Sequence, residues 1–399
     1  MSATTSSIPF ADPVALTEAL VRVDSRNPTL VPGAPGEEPV ARLLAEVLRG
    51  WGCRVEVVEV APGRPNVVAR IGGRAAHGSA RSLMFNGHLD VVGVEGMVHP
   101  AFEPHRRDGR LYGRGSADMK GGVAAMCAAA VRAAAQGLDG EIVIAGVCDE
   151  EYASIGTSAL IASGVRADAA IVTEPTRLAI CPAHRGFAWL EITVHGRAAH
   201  GSRWDLGVDA IRLAALIMAE LDVHEHTTLT QHEHPLLGRA SLHASTIEGG
   251  TGMSTYPDRC VLRVERRTLP GETGATAEAE VRAAIERVRS RRPELRADVT
   301  MFGAQAPSDV SPDAPVVRAI GAAIAGDGEA VRIEGLSAWT DAALLNAAGI
   351  PAICYGPGDI MLAHAAEEWV PEDEIVRAAA VLERFALTWC NGQPTDGAP

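Results

Sequence analysis

Short apolar segments of strand length alternate with helical segments in the first half of this 399-residue chain. An alanine-rich helix is predicted over residues 122–136. The segments that predict strands around it are 54–60, 66–71, 82–85, 141–147 and 169–173. Alternation of this kind favours an α/β fold, in which a mixed, largely parallel sheet lies between helices.

The pattern changes after Cys181. The order becomes strand, helix, strand, strand, helix, strand, over residues 187–194, 208–221, 241–248, 259–267, 275–289 and 296–301. This order predicts a ferredoxin-like α+β domain over 185–300, inserted into a discontinuous first domain of residues 1–184 and 301–399. Two domains also suit a chain of this length.

The charge balance and the cysteines limit the possible partners. Asp and Glu outnumber Lys and Arg by 50 to 36, which argues against sequence-independent binding to nucleic acid or to anionic membranes. No apolar run reaches membrane-spanning length. The seven cysteines are scattered without a CxxC pair, and residues 1–10 lack the regions of a signal peptide. We therefore expect a cytoplasmic protein with a small-molecule partner.

Polar side chains stand where three predicted strands end. His88 and Asp90 follow the first strand, residues 149–151 follow the second, and Glu174 follows the third. The carboxyl ends of strands form the ligand crevice of open α/β sheets, so these groups are expected to converge. Several carboxylates share a water-poor cleft only when cations neutralise them. Imidazole and carboxylate ligands suit zinc, and a bridging carboxylate allows two ions.

Taken singly, each of these residues has a simpler interpretation. Glu151 alone would be a solvated surface acid, and Asp118 alone would be a helix cap. The joint pattern favours the metal cluster over these separate roles.

A set of motifs along nearly the whole chain resembles a known family. In order, they are GHLDVV, LYGRGSADMKGG, CDEE, TEP, GRAAHGS, RRTLPGE and GPGDIMLAHAAEE. The set is similar to the acetylornithine deacetylase, succinyl-diaminopimelate desuccinylase and carboxypeptidase family of co-catalytic zinc hydrolases. The resemblance implies a metal-binding catalytic domain over 1–184 and 301–399, with 185–300 as a lid and dimerisation domain.

The resemblance also implies a metal centre with two Zn²⁺ ions per subunit, for which Co²⁺ or Mn²⁺ are possible substitutes. It makes Asp118 the carboxylate that bridges both ions. His88 and Glu174 would complete one site, and Glu151 and His364 the other.

Further roles in the chemistry follow from the same resemblance. Asp90 would hold the His88 ring through its second nitrogen, in line with the need of a metal-bound imidazole for a hydrogen-bond partner. Glu150 would be the general base that takes a proton from the metal-bridging water and delivers it to the leaving amine. A cis peptide is implied between Asp118 and Met119.

In the inserted domain, the resemblance makes His200 a donor to the tetrahedral oxyanion of the partner subunit, which implies a homodimer. Arg267 resembles the anchor for a substrate carboxylate, since a guanidinium binds a carboxylate with two hydrogen bonds. The neighbouring Arg266 is interpreted as a surface charge.

Two departures from the family pattern concern the substrate. Ser254 stands where many relatives have an asparagine, so a hydroxyl replaces an amide that would contact the substrate. Trp204 stands where a proline is common. Its ring would either line an apolar acyl pocket or pack on the long helix of the inserted domain, and packing is the favoured alternative.

The predicted function is a dinuclear metal-dependent amidohydrolase that removes an N-acyl group from an amino acid or related carboxylate. A metallocarboxypeptidase or dipeptidase that cleaves a peptide bond next to a free carboxylate is the nearest alternative. A non-catalytic binding protein that retains the fold is an alternative of another class, which the intact ligand set and Glu150 disfavour.

Overall fold

The structure, a computed structural model, describes residues 8–73 and 80–392; residues 1–7 of the segment searched for a signal peptide lie outside these ranges. The chain divides into two compact units. The first consists of the described parts of Met1–Pro182, Val310–Glu334 and Thr340–Pro399. The second consists of Ala183–Asp309 and Gly335–Trp339.

Helices and strands are numbered in chain order. The helices are α1 Pro13–Val21, α2 Glu38–Gly50, α3 Gly121–Gln136, α4 Ile155–Ala162, α5 Ala210–Thr227, α6 Gly274–Arg291, α7 Pro315–Ala325, α8 Ala342–Ala347 and α9 Glu372–Asn391. The strands are β1 Arg54–Ala61, β2 Arg64–Gly72, β3 Leu83–His88, β4 His105–Arg107, β5 Arg110–Tyr112, β6 Glu141–Val147, β7 Ala170–Val172, β8 Ile180–His184, β9 Gly186–His195, β10 Glu233–His234, β11 Gly238–Arg239, β12 Ser241–Gly249, β13 Arg259–Thr268, β14 Arg296–Gln305, β15 Ser308–Asp309, β16 Ile333–Leu336, β17 Ala352–Cys354 and β18 Trp369–Pro371.

The main sheet of the first unit has a parallel centre and antiparallel edges. Its strands run in the order β1, β2, β6, β3, β7, β17, β8. β3 pairs in parallel with β6 and β7, and β17 pairs in parallel with β7. β1, β2 and β8 pair with their neighbours antiparallel. The mixed sheet expected from the sequence is confirmed.

Helices cover both faces of this sheet. α1, α3 and α9 pack against one another on one side, while α2 and α4 contact β1 and β2, and α8 contacts β7 and β17. All of β3 is buried, and so is most of α3. A strand covered on both faces reads as a continuous apolar run, which explains why the sequence predicted the central strands so closely.

The second unit is an antiparallel sheet covered by two helices. Its strand order is β12, β13, β9, β14, and every neighbouring pair is antiparallel. α5 and α6 contact each other and this sheet. With the chain order β9, α5, β12, β13, α6, β14, the arrangement is that of a ferredoxin-like domain.

The second unit extends beyond the residues 185–300 expected from the sequence. β14 continues to Gln305, and the short segment Gly335–Trp339 also belongs to this unit. Trp339 explains the latter, because its ring meets Phe187 edge-on and its Nε1 donates to the Ala306 carbonyl at 3.0 Å. Such contacts between segments distant in sequence leave no periodic signal.

Among the residues that the structure describes, no helix has both the length and the apolar character needed to span a bilayer. All seven cysteines are buried and carry free thiols.

Gly122 allows α3 to lie directly on the end of β7, and this contact generates a prediction. A Cβ at Gly122 would stand 1.9 Å from the Thr173 main-chain oxygen. We expect Gly122→Ala to destabilise the protein by about 1–3 kcal/mol, as overpacking does. Differential scanning calorimetry measures the effect as a lower melting temperature.

Gly321→Ala is the matched control in α7. Its Cβ would make ordinary contacts, at 3.6 Å from Val331 and 3.8 Å from Ile180. Alanine favours a helix over glycine by roughly 1 kcal/mol, so this variant should melt at the wild-type temperature or above it. A Gly122→Ala variant as stable as Gly321→Ala would contradict the close approach.

Candidate metal centre

Three neighbouring parallel strands bring the candidate side chains to one edge of the main sheet. His88 is the last residue of β3. Glu150 and Glu151 follow β6, which lies on one side of β3, and Glu174 follows β7 on the other side. Because the carboxyl ends of parallel strands meet at the same edge, residues far apart in sequence become neighbours.

Two further side chains reach this edge from loops. Asp118 lies in the irregular turn Ser116–Lys120 before α3, and the peptide between Asp118 and Met119 is cis, as the resemblance implied. His364 follows the short turn Ile360–Leu362 and has a positive φ of 60°. Its Nε2 lies 3.0 Å from Glu151 Oε2 and 3.4 Å from Asp118 Oδ2.

Two groups of these side chains have ligand atoms within 4.8 Å of one another, close enough to share a metal ion. His88, Asp118 and Glu151 form one group, and His88, Glu150 and Glu174 form the other. His88 Nε2 lies 3.1 Å from Asp118 Oδ1 and 4.0 Å from Glu150 Oε2. Carboxylate oxygens and imidazole nitrogens are a donor set that suits zinc and related divalent metals.

The acids of this cluster are buried close to one another, and their pKa values reflect it. Burial, together with the charge of Asp118, raises the pKa of Glu174 well above its usual range, and burial does the same for Glu150. Contact with the carboxylates of Asp118 and Glu151 raises the pKa of His364 to about 10. The cluster thus favours a positive charge at its centre, which fits a cation site.

Asp90 serves the centre in a different way from the one expected. His88 Nδ1 lies 2.9 Å from the main-chain oxygen of Asp90 but 3.7 Å from its carboxylate. The carboxylate accepts the main-chain N–H groups of Glu150 and Glu151, at 3.1 and 3.2 Å. One residue therefore orients the His88 ring through its carbonyl and fixes the two glutamates through its side chain.

A buried network of hydrogen bonds and ion pairs holds the Asp90 carboxylate in place. Asn27 Nδ2 donates to Asp90 at 2.8 Å and to Asp149 at 2.9 Å. Arg64 donates to Asp149 at 2.7 Å and forms a two-point ion pair with Glu37. Every buried charge in the network has an opposite charge or a donor beside it, as burial requires.

Sequence reasoning missed Asp341, a fully buried acid at the start of α8. Thr157 donates a hydrogen bond of 2.6 Å to one of its carboxylate oxygens, and the other accepts no hydrogen bond from residues 8–73 or 80–392. Burial raises the pKa of Asp341 to about 6, and its charge in turn raises the pKa of Glu150 and Glu174. Asp341 lies outside every quoted motif and not directly after a predicted strand, so no sequence signal pointed to it.

The other predicted site residues belong to the second unit. His200 and Ser254 lie on two exposed loops that pair with each other, since His200 bridges to Thr255 and Ser254 accepts the Gly201 N–H at 2.8 Å. His200 Nδ1 lies 2.8 Å from the Ser202 hydroxyl. Trp204 is 81% exposed. The favoured interpretation of Trp204 as a packing residue was therefore wrong.

Arg267 and Arg266 point to opposite faces of β13. Arg267 is partly exposed, pairs with Glu265 and lies with its guanidinium carbon 5.6 Å from the Phe187 ring centre. Arg266 is fully buried between Glu272 and Glu280, with hydrogen bonds of 2.8–3.2 Å. The interpretation of Arg266 as a surface charge was wrong, because side chains alternate along a strand and Arg266 shares the buried face of Leu262 and Val264.

Comparison with known proteins identifies the family of the chain. Residues 84–388 match the model of peptidase family M20/M25/M40. An acetylornithine deacetylase of Myxococcus xanthus is 31% identical over 82% of this chain and 85% of its own length. An N-formyl-4-amino-5-aminomethyl-2-methylpyrimidine deformylase of Bacillus subtilis is 30% identical over 91% of this chain and 92% of its own length.

The fold is also shared with a solved structure. An M20 family metallo-carboxypeptidase of Sulfolobus solfataricus superposes with a TM-score of 0.78, at 17% identity, over 95% of this chain and 99% of that chain. The family match spans more than half of the chain, and the two curated relatives cover most of it. The chain therefore belongs to peptidase family M20/M25/M40 and is a hydrolase that acts on amide C–N bonds.

Proposed function

We propose that this protein is a dinuclear metal-dependent amidohydrolase that removes an N-acyl group from an amino acid or a related carboxylate. The observation that carries the proposal is the position of Asp118 at the carboxyl edge of the sheet, with one carboxylate oxygen 3.1 Å from His88 Nε2 and the other 3.4 Å from His364 Nε2. The deacetylase and deformylase relatives support N-acyl substrates.

In this proposal, Asp118 lies between two metal positions, since its carboxylate faces His88 on one side and His364 on the other. His88 and Glu174 belong to the first position, and Glu151 and His364 to the second. Zinc is the proposed metal, with cobalt or manganese as substitutes. Bound ions would polarise the scissile carbonyl and lower the pKa of the attacking water.

Glu150 is proposed as the general base, although its carboxylate is close enough to His88 and Glu174 to be a rival ligand. Burial raises the pKa of Glu150 well above its usual range, as a proton acceptor for catalysis requires. Its main-chain N–H is held by Asp90, so its position is fixed. Glu150 would take a proton from the attacking water and deliver it to the leaving nitrogen.

The neighbouring glutamates allow a direct test of base against ligand. We expect Glu150→Gln to lower kcat by about 10²- to 10⁴-fold while bound metal stays at the wild-type level. Glu151→Gln, the same change one residue later, is expected to reduce bound metal. Elemental analysis of both proteins, with hydrolysis assays, separates the two roles.

Each contrary result has its own meaning. Equal hydrolysis by wild type and Glu150→Gln would rule out Glu150 as the base, and loss of metal from Glu150→Gln would make it a ligand. A wild-type protein that binds no metal would refute the dinuclear centre. One that binds metal without hydrolysing any acyl amino acid or peptide would point to a binding protein that retains the fold.

Arg267 is the proposed anchor of the substrate carboxylate, and the nearby ring of Phe187 supports a planar cation at this position. Ser254 and the exposed Trp204 are proposed to contact the substrate, with Trp204 offering an apolar surface to an acyl group. The alternative is a carboxypeptidase or dipeptidase, whose substrates also carry a free carboxylate.

A substrate panel distinguishes these possibilities. We expect N-formyl, N-acetyl or N-succinyl amino acids to be hydrolysed with a higher kcat/KM than dipeptides. Arg267→Gln should raise KM for the free acids and leave KM for their carboxyl methyl esters unchanged, because only the acid offers a charge to the guanidinium.

Arg263→Gln, on the same face of β13 and paired with Glu191 at 2.9 Å, is the control. A preference for dipeptides would favour the peptidase alternative. An equal effect of Arg267→Gln on acids and esters would refute the anchor.

A homodimer is also proposed, in which His200 acts on the substrate of the partner subunit. The exposure of His200 and of its loop is compatible with a role at another surface. Mixing Glu150→Gln with His200→Ala tests it, since a mixed dimer would contain one complete site. We expect each variant alone to be nearly inactive and an exchanged mixture to recover about a quarter of the wild-type rate, as random pairing into dimers gives.

No recovery in a mixture shown by light scattering and mass spectrometry to contain mixed dimers would refute the trans role. A fully active monomer would refute it as well.

A cytoplasmic location is the last part of the proposal, supported by the seven free cysteines.

A further inference from the structure

Glu368 is a fully buried carboxylate whose two oxygens both accept hydrogen bonds from one loop. Its Oε1 accepts the main-chain N–H groups of Ala117 and Asp118, at 3.0 and 3.1 Å. Its Oε2 accepts the N–H of Gly115 at 3.0 Å and Arg114 Nη1 at 2.7 Å. One side chain therefore determines the path of the chain from Gly115 to Asp118.

Arg114 supplies the opposite charge. It is 3% exposed, and its Nε donates to the Gly93 carbonyl at 3.1 Å while Nη1 binds Glu368. Charge-assisted hydrogen bonds of this kind are roughly twice as strong as neutral ones. The carboxylate is thus satisfied by a buried cation and three main-chain donors, so its burial needs no metal ion.

Three of the four main-chain N–H groups from Gly115 to Asp118 bind Glu368, and the fourth, of Ser116, donates to the Gly113 carbonyl at 3.1 Å. The turn Ser116–Lys120 departs from helical geometry at Asp118 and Met119, so regular main-chain hydrogen bonding is interrupted there. The main-chain oxygen of Glu368 also accepts the Gly113 N–H at 3.2 Å. Side chain and main chain of one residue hold both ends of this segment.

Glu368 also lies four residues after His364 and directly before β18. β18 pairs with β5, the strand that leads into Gly113 and the Asp118 turn. The segment that carries His364 and the segment that carries Asp118 are thereby joined at Glu368. The two side chains meet at 3.4 Å, between His364 Nε2 and Asp118 Oδ2.

We propose that Glu368, together with Arg114, is a positioning residue that sets the spacing of Asp118 and His364 for metal binding. The inference rests on the proposed dinuclear centre and adds a residue that touches neither metal nor substrate. Ligand pairs held at a fixed distance bind an ion without the entropy loss of ordering a loop.

The test is metal binding to the metal-free full-length protein, followed by calorimetry with zinc. We expect wild type to bind two ions and Glu368→Gln to bind its weaker ion about 10- to 100-fold less tightly, as removal of a supporting hydrogen-bond partner does. The side-chain amide in this variant would replace one accepting oxygen with an NH₂ group, which cannot accept hydrogen bonds from the main-chain N–H groups. Excess zinc should restore kcat in this variant with KM unchanged.

Glu367→Gln is the matched control, because Glu367 is adjacent and its side chain is 54% exposed. It should bind zinc like wild type. Arg114→Lys is a second variant that keeps the charge and loses the planar guanidinium, and we expect a smaller loss of zinc affinity in it. Circular dichroism and thermal melting of the metal-free proteins show whether each variant folds. If Glu368→Gln does not fold, Arg114→Lys still tests the inference.

Wild-type zinc affinity in a folded Glu368→Gln variant, whether or not its melting temperature falls, would overturn the positioning role and leave the proposed function intact. The same holds for wild-type affinity in Arg114→Lys if the glutamine variant does not fold. Failure of wild type to bind any zinc would instead overturn the proposed function.

Discussion

The structure depends on keeping several carboxylates buried beside one another at one edge of a sheet. They fall into two kinds. Asp90 and Glu368 accept main-chain N–H groups, so fixed donors of the protein compensate their charge. Asp118, Glu150 and Glu174 face one another and the His88 ring instead. The first kind gives the centre its shape, and the second kind gives it its affinity for cations.

These two kinds are connected through the main chain. Asp90 binds the N–H groups of the very residues, Glu150 and Glu151, whose side chains enter the cluster. Glu368 does the same for the turn that carries Asp118. A main-chain hydrogen bond leaves the side chain of the held residue free for a ligand or a proton. Rigid support and chemical availability are therefore compatible at the same position.

The sequence predicted the central strands, and the polar residues at their ends, because both leave local signals, whereas Asp118 and His364 were implied by the family resemblance. β3 begins with an apolar run and ends at His88, and β6 is apolar from Ile142 to Val147 and is followed closely by acidic residues. The buried Asp341 and the proposed positioning role of Glu368 were not predicted, since the contacts of both residues are with residues distant in sequence. Arg266 was wrongly interpreted as a surface charge. The alternation along β13, which assigns Arg266 to the buried face, was a signal that could have corrected this. Trp204 was misplaced because a loop residue carries no periodicity that indicates burial.

The two units also divide the candidate residues by chemistry. All candidate ligands, with Asp90 and Glu368, belong to the first unit, whereas His200, Ser254 and Arg267 belong to the second. Among the candidate ligands, Asp118 and Glu151 are held by main-chain hydrogen bonds to Glu368 and Asp90, which also belong to the first unit. The residues proposed to recognise the substrate lie on exposed loops or on a half-exposed strand face, where substitution is tolerated. Such a fold can keep one metal chemistry while its substrate changes, which is consistent with relatives as different as a deacetylase and a pyrimidine deformylase.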